Sequence, residues 1–213
     1  MMKKFWKEWQ PTFWFLILLL FMRGSYADWY TVPTGSMQPT IAIGDRILVD
    51  KTAYQLRLPY SDVILTEFAE PQVGDIIVFN DDESGDRLIK RVIAKAGDKI
   101  AMQNNRIYVN GNKIAVKISR KTDEVIELNE NLSGKNHLIQ WLPNRPALRT
   151  FSSYTVPDDE LFVMGDNRDN SKDSRYIGPV KISKVLGRAH HTLWSWDSEN
   201  WRFRQKRFYK PLD

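Results

Sequence analysis

The sequence predicts a mainly β protein preceded by one apolar helix, on three observations. Gly-Asp occurs at 44–45, 74–75 and 97–98, each time leading straight into a β-rich run: Arg46–Val49, Ile76–Phe79 and Lys99–Met102. Gly-Asp is a turn dipeptide, so each pair reads as a turn feeding a strand. Residues 100–116 read as linked hairpins, with Asn104-Asn105 and Asn110-Gly111 at the turns, because these residues tolerate the positive φ that tight hairpins require. Beyond the N-terminus no long amphipathic helical period is visible.

The helix comes first. Residues 12–22 carry no charge; Lys3, Lys4 and Lys7 precede them and Arg23 follows. Eleven helical residues cover roughly 16 Å, against a hydrocarbon core of about 30 Å. Extending the segment to Trp9–Tyr26 approaches the lower limit for a span, with Arg23 snorkelling and Trp9, Trp14 and Tyr26 at the interfaces. Three readings stand: a short transmembrane anchor, which is preferred; a cleavable leader ending at the small-x-small run Ser25-Tyr26-Ala27; and a buried or interfacial helix. In the first two the lysines keep the N-terminus inside and send the rest outward. The expected organisation is a stub and anchor over 1–26 and an extracytoplasmic domain over 27–213. Residues 112–155, polar and weak in strand signals, read as an insert.

Composition narrows the chemistry. The net charge is +5 and the pI about 9.3, compatible with an anionic membrane surface. Lys and Arg are scattered without a stripe of interleaved aromatics, so nucleic acid is not expected as a partner. The absence of cysteine excludes disulfides, thiol nucleophiles and thiolate metal sites.

Three segments could do chemistry. In Pro33-Thr34-Gly35-Ser36-Met37-Gln38-Pro39-Thr40 a serine sits on a rigid loop between prolines, where a hydroxyl and free backbone N–H groups can be presented together. A serine nucleophile needs a base. His137 lies in the polar insert. His190 and His191 are adjacent on one strand and point to opposite faces. No Ser-His-Asp set emerges, and the histidines read as surface or satisfied strand residues. Lysine is the other candidate, provided burial lowers its pKa toward neutrality. In a strand over 87–94, Leu88, Lys90, Val92 and Ala94 share one face, with Lys90 its single cation, and Arg91 lies opposite with Ile89, Ile93 and Lys95. The third segment, Gly165–Arg175, holds three Asp, two Arg, two Asn and two Ser. It lacks the spacing and closing Glu of an EF-hand, so a hydrogen-bonded brace is favoured over a metal site.

Taken in this order, the three segments resemble the type I signal peptidase family of serine proteases. Pro33–Thr40 resembles its nucleophile box, Gly74–Phe79 and Ile89–Ala94 with Gly97-Asp98 its lysine region, and Gly165–Arg175 its Gly-Asp-Asn-Arg-Asp-Asn-Ser box. Gly187–Ala189 with Trp194 resembles its closing strand. The resemblance runs from about 10 to 203 and is weakest over 112–155. It implies a β-rich catalytic core with a variable insert, Ser36 as nucleophile and Lys90 as general base. The amide of Ser36 and the hydroxyl of Thr34 would form the oxyanion hole. Ser171 would orient Lys90, and Arg91, Asp166, Asp173 and Arg175 would be supporting ion pairs. Two departures are visible: Thr34 stands where the family usually has serine, and Ala96 where it has proline.

By the same resemblance the substrates are the signal peptides of exported preproteins, cut after small-x-small motifs. Val32, Pro33, Met37, Ile41, Leu88 and Ile89 are the candidate pocket lining. No cofactor and no metal are implied. The implied location is the bacterial inner membrane, single-pass, with the catalytic domain on the periplasmic face. Membrane lipid is the second expected partner: Trp29, Tyr30, Trp201, Phe203, Phe208 and Tyr209 could rest on it, whereas Trp194 and Trp196 read better as core. The alternatives are a maturation peptidase dedicated to one substrate, of conjugation or pilus type, and a non-catalytic membrane-tethered domain that binds peptides by strand addition. A self-cleaving repressor-type protease would need a DNA-binding domain for which there is no room.

Overall fold

The computed structural model describes residues 2–59, 61 and 63–212. The expected β class holds. A large antiparallel sheet runs in the order Ala27–Thr31, Asp45–Asp50, Val185–Asp197, Ile76–Asn80, Arg87–Lys95, Glu160–Met164, Val180–Lys181. Arg202–Phe203 and Lys210–Pro211 also pair with the long strand Val185–Asp197, which contains the Gly187–Ala189 segment.

The Gly-Asp turns share one construction. Asp45, Asp75 and Asp98 each donate their N–H to the carbonyl three residues earlier, at Ala42, Gln72 and Lys95. Each also accepts the N–H of that same residue on its carboxylate, at 2.8–2.9 Å. The aspartate thus satisfies two backbone groups where the chain reverses, and glycine supplies the positive φ, +86° at Gly44. The two hairpins form as expected, with positive φ at Asn104, Asn105, Asn110 and Gly111.

Three apolar clusters pack on the sheet. One joins Val32, Met37 and Ile41 to Ile47, Val49, Ile76, Val78, Ala189 and Leu212. A second gathers Ile93, Ala94, Ile100, Met102 and Met164, and a third Ile77, Phe79, Val92 and Val163. Ala94 thus packs with Ile93 rather than with Val92, because the pairing register shifts opposite Phe162 and Val163 and a bulge rotates the following side chains.

Two expectations about the domain are corrected. Residues 112–155 are not weak in strands: Ala115–Lys121, Ile126–Leu132 and Lys135–Trp141 form a three-stranded sheet. The pattern was hidden because Glu130, His137 and Gln140 occupy buried positions that an apolar residue would normally mark. Trp194 and Trp196 are not core but 38% and 43% exposed. The register of Val185–Asp197 shifts between Thr192 and Trp194, and Thr192 and Ser195 take the inward positions.

The N-terminal segment does form a helix, Met2–Ser25, which exposes Trp9, Phe13, Trp14, Phe15 and Leu16. Among the described residues, however, no helix is long and apolar enough to cross a membrane. Lys7, Glu8 and Gln10 precede the apolar run and Arg23 closes it, which keeps the uncharged stretch shorter than the span expected from the sequence.

Candidate active site

Ser36 lies on the loop that follows Ala27–Thr31. Met37 and Ile41, 1% and 0% exposed, drive into the first cluster and pin the loop to the sheet. Ser36, directly before Met37, stays half-buried. Lys90 sits in mid-sheet, opposite Ile77 on the neighbouring strand. It is 2% exposed. Its Nζ donates to Ser36 Oγ across 3.0 Å and to the carbonyl of Ile89 at 2.9 Å. Burial lowers its pKa from 10.5 to about 8, against the upward pull of Asp173 and Asp166 and with a small downward push from Arg175. An amine so placed can shed its proton near neutrality and accept one from the hydroxyl it already contacts.

The loop Gly165–Asp173 braces both groups. Asp166 receives Nε and Nη2 of Arg91 at 2.9 Å each, and Thr40 Oγ1 at 2.5 Å. Burial alone would raise the Asp166 pKa; Arg91 and the donated hydrogen bonds overcome it and hold the carboxyl below its usual range. Asp173 caps the short helix Ser174–Ile177, pairs with Arg175, and accepts the N–H of Gly165 at 3.0 Å. Gly165 has no room for a side chain: a Cβ there would lie 2.3 Å from Ser171 Oγ and 2.4 Å from Ser36 O.

Several participants were not foreseen. Asn167 donates its N–H to Ser36 O and its Nδ2 to Gly35 O, both at 3.0 Å. Its place in the polar Gly165–Arg175 segment is the signal the sequence offers. Thr40 links the nucleophile loop to Asp166, and Arg207 donates to Thr40 O at 2.8 Å while pairing with Asp45. The insert sheet docks on the same loop: Gln140 N–H binds Asp166 O, and Arg168 N–H binds Gln140 O. Arg168 also pairs with buried Glu130, whose Oε2 lies 3.3 Å from His137 Nε2. His137 is therefore buried beside a carboxylate rather than at the surface. His191 stacks on Tyr209 and His190 lies 3.8 Å from Asp50.

Arg91 pairs with Asp166, and Arg175 with Asp173. Ser171 departs from expectation. Its Oγ is buried without a hydrogen-bond partner, so in this conformation it does not orient Lys90, whose Nζ is held by Ser36 and Ile89. Thr34 is exposed beside Ser36. Of the six pocket candidates, Val32, Met37 and Ile41 belong to the core; their apolar character anchors the loop and offers no accessible wall. Pro33 is exposed, and Leu88 and Ile89 are half-buried.

The family model for signal peptidase, peptidase S26, matches residues 6–194. The signal peptidase I of Pseudomonas aeruginosa is 36% identical over 197 residues, covering 85% of this chain and 69% of that protein. That of Aquifex aeolicus is 33% identical over 219 residues, covering 82% and 79%. Among solved structures, a signal peptidase I from Enterococcus faecalis matches at 27% identity with a TM-score of 0.37, covering 57% of this chain and 98% of that one. With a match over most of its length and these identities, the chain belongs to the signal peptidase family, peptidase S26.

Proposed function

We propose that this chain is a membrane-tethered serine endopeptidase that removes signal peptides from exported preproteins, with Ser36 as nucleophile and neutral Lys90 as general base. The observation that carries the reading is the 3.0 Å contact between a hydroxyl and a buried amine of lowered pKa.

Lys90 takes the Ser36 proton as Oγ attacks the carbonyl of the scissile bond. The oxyanion is received by the Ser36 amide and the Thr34 hydroxyl, a contribution worth ~3–4 kcal/mol per donor in comparable sites. Lys90, now protonated, delivers the proton to the leaving amine. Water activated by the same amine then hydrolyses the ester. Arg91, Asp166, Asp173 and Arg175 keep the two loops in register. Pro33, Leu88 and Ile89 border the substrate's small side chains. Metal and cofactor have no role in these steps.

The remaining proposals concern placement. Residues 1–26 form a stub and anchor, and 27–213 the extracytoplasmic domain with its insert at about 112–155. Lys3, Lys4 and Lys7 favour an inside N-terminus, which puts the domain on the periplasmic face of the inner membrane. The exposed aromatic and aliphatic flank of Met2–Ser25 supports contact with lipid. Ser36 follows Arg23 by 13 residues, so the site lies close to the bilayer.

The test is cleavage of a secretory preprotein by the full chain in detergent micelles, with the cut mapped by mass spectrometry. Cutting after a small-x-small motif, lost in both Ser36→Ala and Lys90→Met, is expected. Robust cutting by either variant overturns the assignment.

A further inference from the structure

The insert sheet buries a carboxylate against the loop that holds Ser36. On the strand Ile126–Leu132 the inward face carries Leu128, Glu130 and Leu132, while Asn129 between them faces solvent. The two-residue period of a strand therefore puts Glu130 where its leucine neighbours mark core. His137 stands directly opposite on Lys135–Trp141, its Nε2 3.3 Å from Glu130 Oε2. Burial alone would raise the Glu130 pKa. The charge of Arg168, with its hydrogen bond and the nearness of His137, outweighs burial and holds the carboxyl down to about 2.

Arg168 depends on this carboxylate in turn. It is 1% exposed, and its Nη2 donates to Glu130 Oε2. Its Nε and Nη1 have no hydrogen-bond partner among the described residues. Glu130 is thus the acceptor that aims the buried guanidinium, through a charge-assisted bond of fixed direction.

The backbone of Arg168 connects this pair to the nucleophile. Its N–H donates to Gln140 O at 3.0 Å, and Gln140 N–H donates to Asp166 O at 2.9 Å. The strand Lys135–Trp141 so pairs in parallel with the loop at Asn167, the residue that grips Ser36 O and Gly35 O. Leu138 O on the same strand accepts Thr40 Oγ1 at 3.3 Å. Two backbone bonds fix how far the loop lies from this strand. The ion pair adds a third point, one strand deeper in the insert sheet, and so opposes rotation of the loop about the other two. We propose that Glu130 is a positioning residue for the peptidase, holding Ser36 within reach of Lys90 through Arg168 and Asn167. The proposal rests on the reading of Ser36 as nucleophile.

The experiment measures kcat, KM and melting temperature of the full chain in detergent micelles, with a preprotein as substrate. Glu130→Gln should lower kcat by about tenfold or more, since small displacements of a reacting group are costly. KM should stay within about twofold, because Glu130 binds no substrate and acts only on the reacting geometry. This variant also leaves a buried cation unpaired and melts lower. A second variant, Glu130→Met with Arg168→Met, separates the two effects. Two apolar side chains remove the cost of the unpaired charge, but the flexible thioethers give the loop no direction. Its melting temperature should return to within a few degrees of the parent's, while kcat stays down about tenfold. The plateau of kcat/KM should remain near pH 8, because Lys90 is untouched. Parental kcat in either variant, a KM that rises as kcat falls, or a displaced plateau overturns the proposal. Ser36→Ala in the same assay keeps the two readings apart. Cutting by Ser36→Ala overturns the nucleophile assignment itself, whereas an inactive Ser36→Ala beside a fully active Glu130→Gln overturns the positioning role alone.

Discussion

Asn167 grips the backbone on which Ser36 rides: its N–H donates to Ser36 O and its side-chain amide to Gly35 O, both at 3.0 Å. The loop that carries the supporting ion pairs therefore also sets where the hydroxyl points. The nucleophile is positioned by a partner 131 residues away in the chain, and no contact within its own segment could replace that.

Asn167→Ala keeps the backbone bond and removes the one to Gly35. A hydrogen bond of this kind is worth about 1 kcal/mol, with more when the acceptor is left buried. The expected outcome is a fall of about tenfold in kcat with KM little changed, measured on a preprotein or a peptide carrying its cleavage site. An unchanged kcat would remove Asn167 from the positioning role.

The pH dependence follows from Lys90. Only its neutral form can accept a proton, so kcat/KM should rise with pH and level off above about 8, the pKa to which burial lowers it. A profile still climbing at pH 10 would contradict a buried base.

The same shift has a stability counterpart with a definite sign. The folded pKa lies below the unfolded value of 10.5, so the charged amine destabilises the fold at pH below 8. As pH rises from 8 to 10.5 the unfolded state holds the extra proton and the penalty is relieved. Lys90→Met should therefore be more stable than the parent at pH 7, by up to about 3 kcal/mol. The gap in melting temperature should narrow above pH 8. A variant that melts lower than the parent at pH 7 would refute this.

Asp166→Asn leaves the guanidinium of Arg91, itself 3% exposed, without its carboxylate. Removing one partner of a buried pair costs about 3–5 kcal/mol, which corresponds to a fall of roughly 10 °C in melting temperature for a domain of this size. Thermal unfolding followed by circular dichroism measures it. A shift of only a degree or two would show that Arg91 finds other compensation.

Gly165→Ala tests the closest approach in the site. The new methyl would meet Ser36 O at 2.4 Å and Ser171 Oγ at 2.3 Å. The hydroxyl can rotate away but the carbonyl cannot move without carrying Ser36 with it. Activity should fall by at least about a hundredfold, as displacements of the order of an ångström do elsewhere, while the far-ultraviolet spectrum stays that of a β protein. Near-normal turnover would show that the two loops can part freely.

Local chemistry was legible in the sequence where the cause is local. The Gly-Asp turns, the two asparagine hairpins and the apolar strands around Lys90 follow from backbone preference and side-chain period, and each formed. Ser36 and Lys90 were candidates as a hydroxyl on a proline-bounded loop and one cation on an apolar face, and it was the resemblance of the three ordered segments to a known family that gave them their roles. The insert sheet was missed because Glu130, His137 and Gln140 are buried polar groups, and their partners on Gly165–Arg175 are distant in sequence. Val32, Met37 and Ile41 were assigned to a pocket because apolar residues beside a nucleophile look the same whether they face substrate or core. The sequence thus determined the strand class and the chemically capable residues. The tertiary structure decided which of them meet, since the 3.0 Å between Lys90 and Ser36 and the pKa of the amine depend on burial by strands from the whole chain.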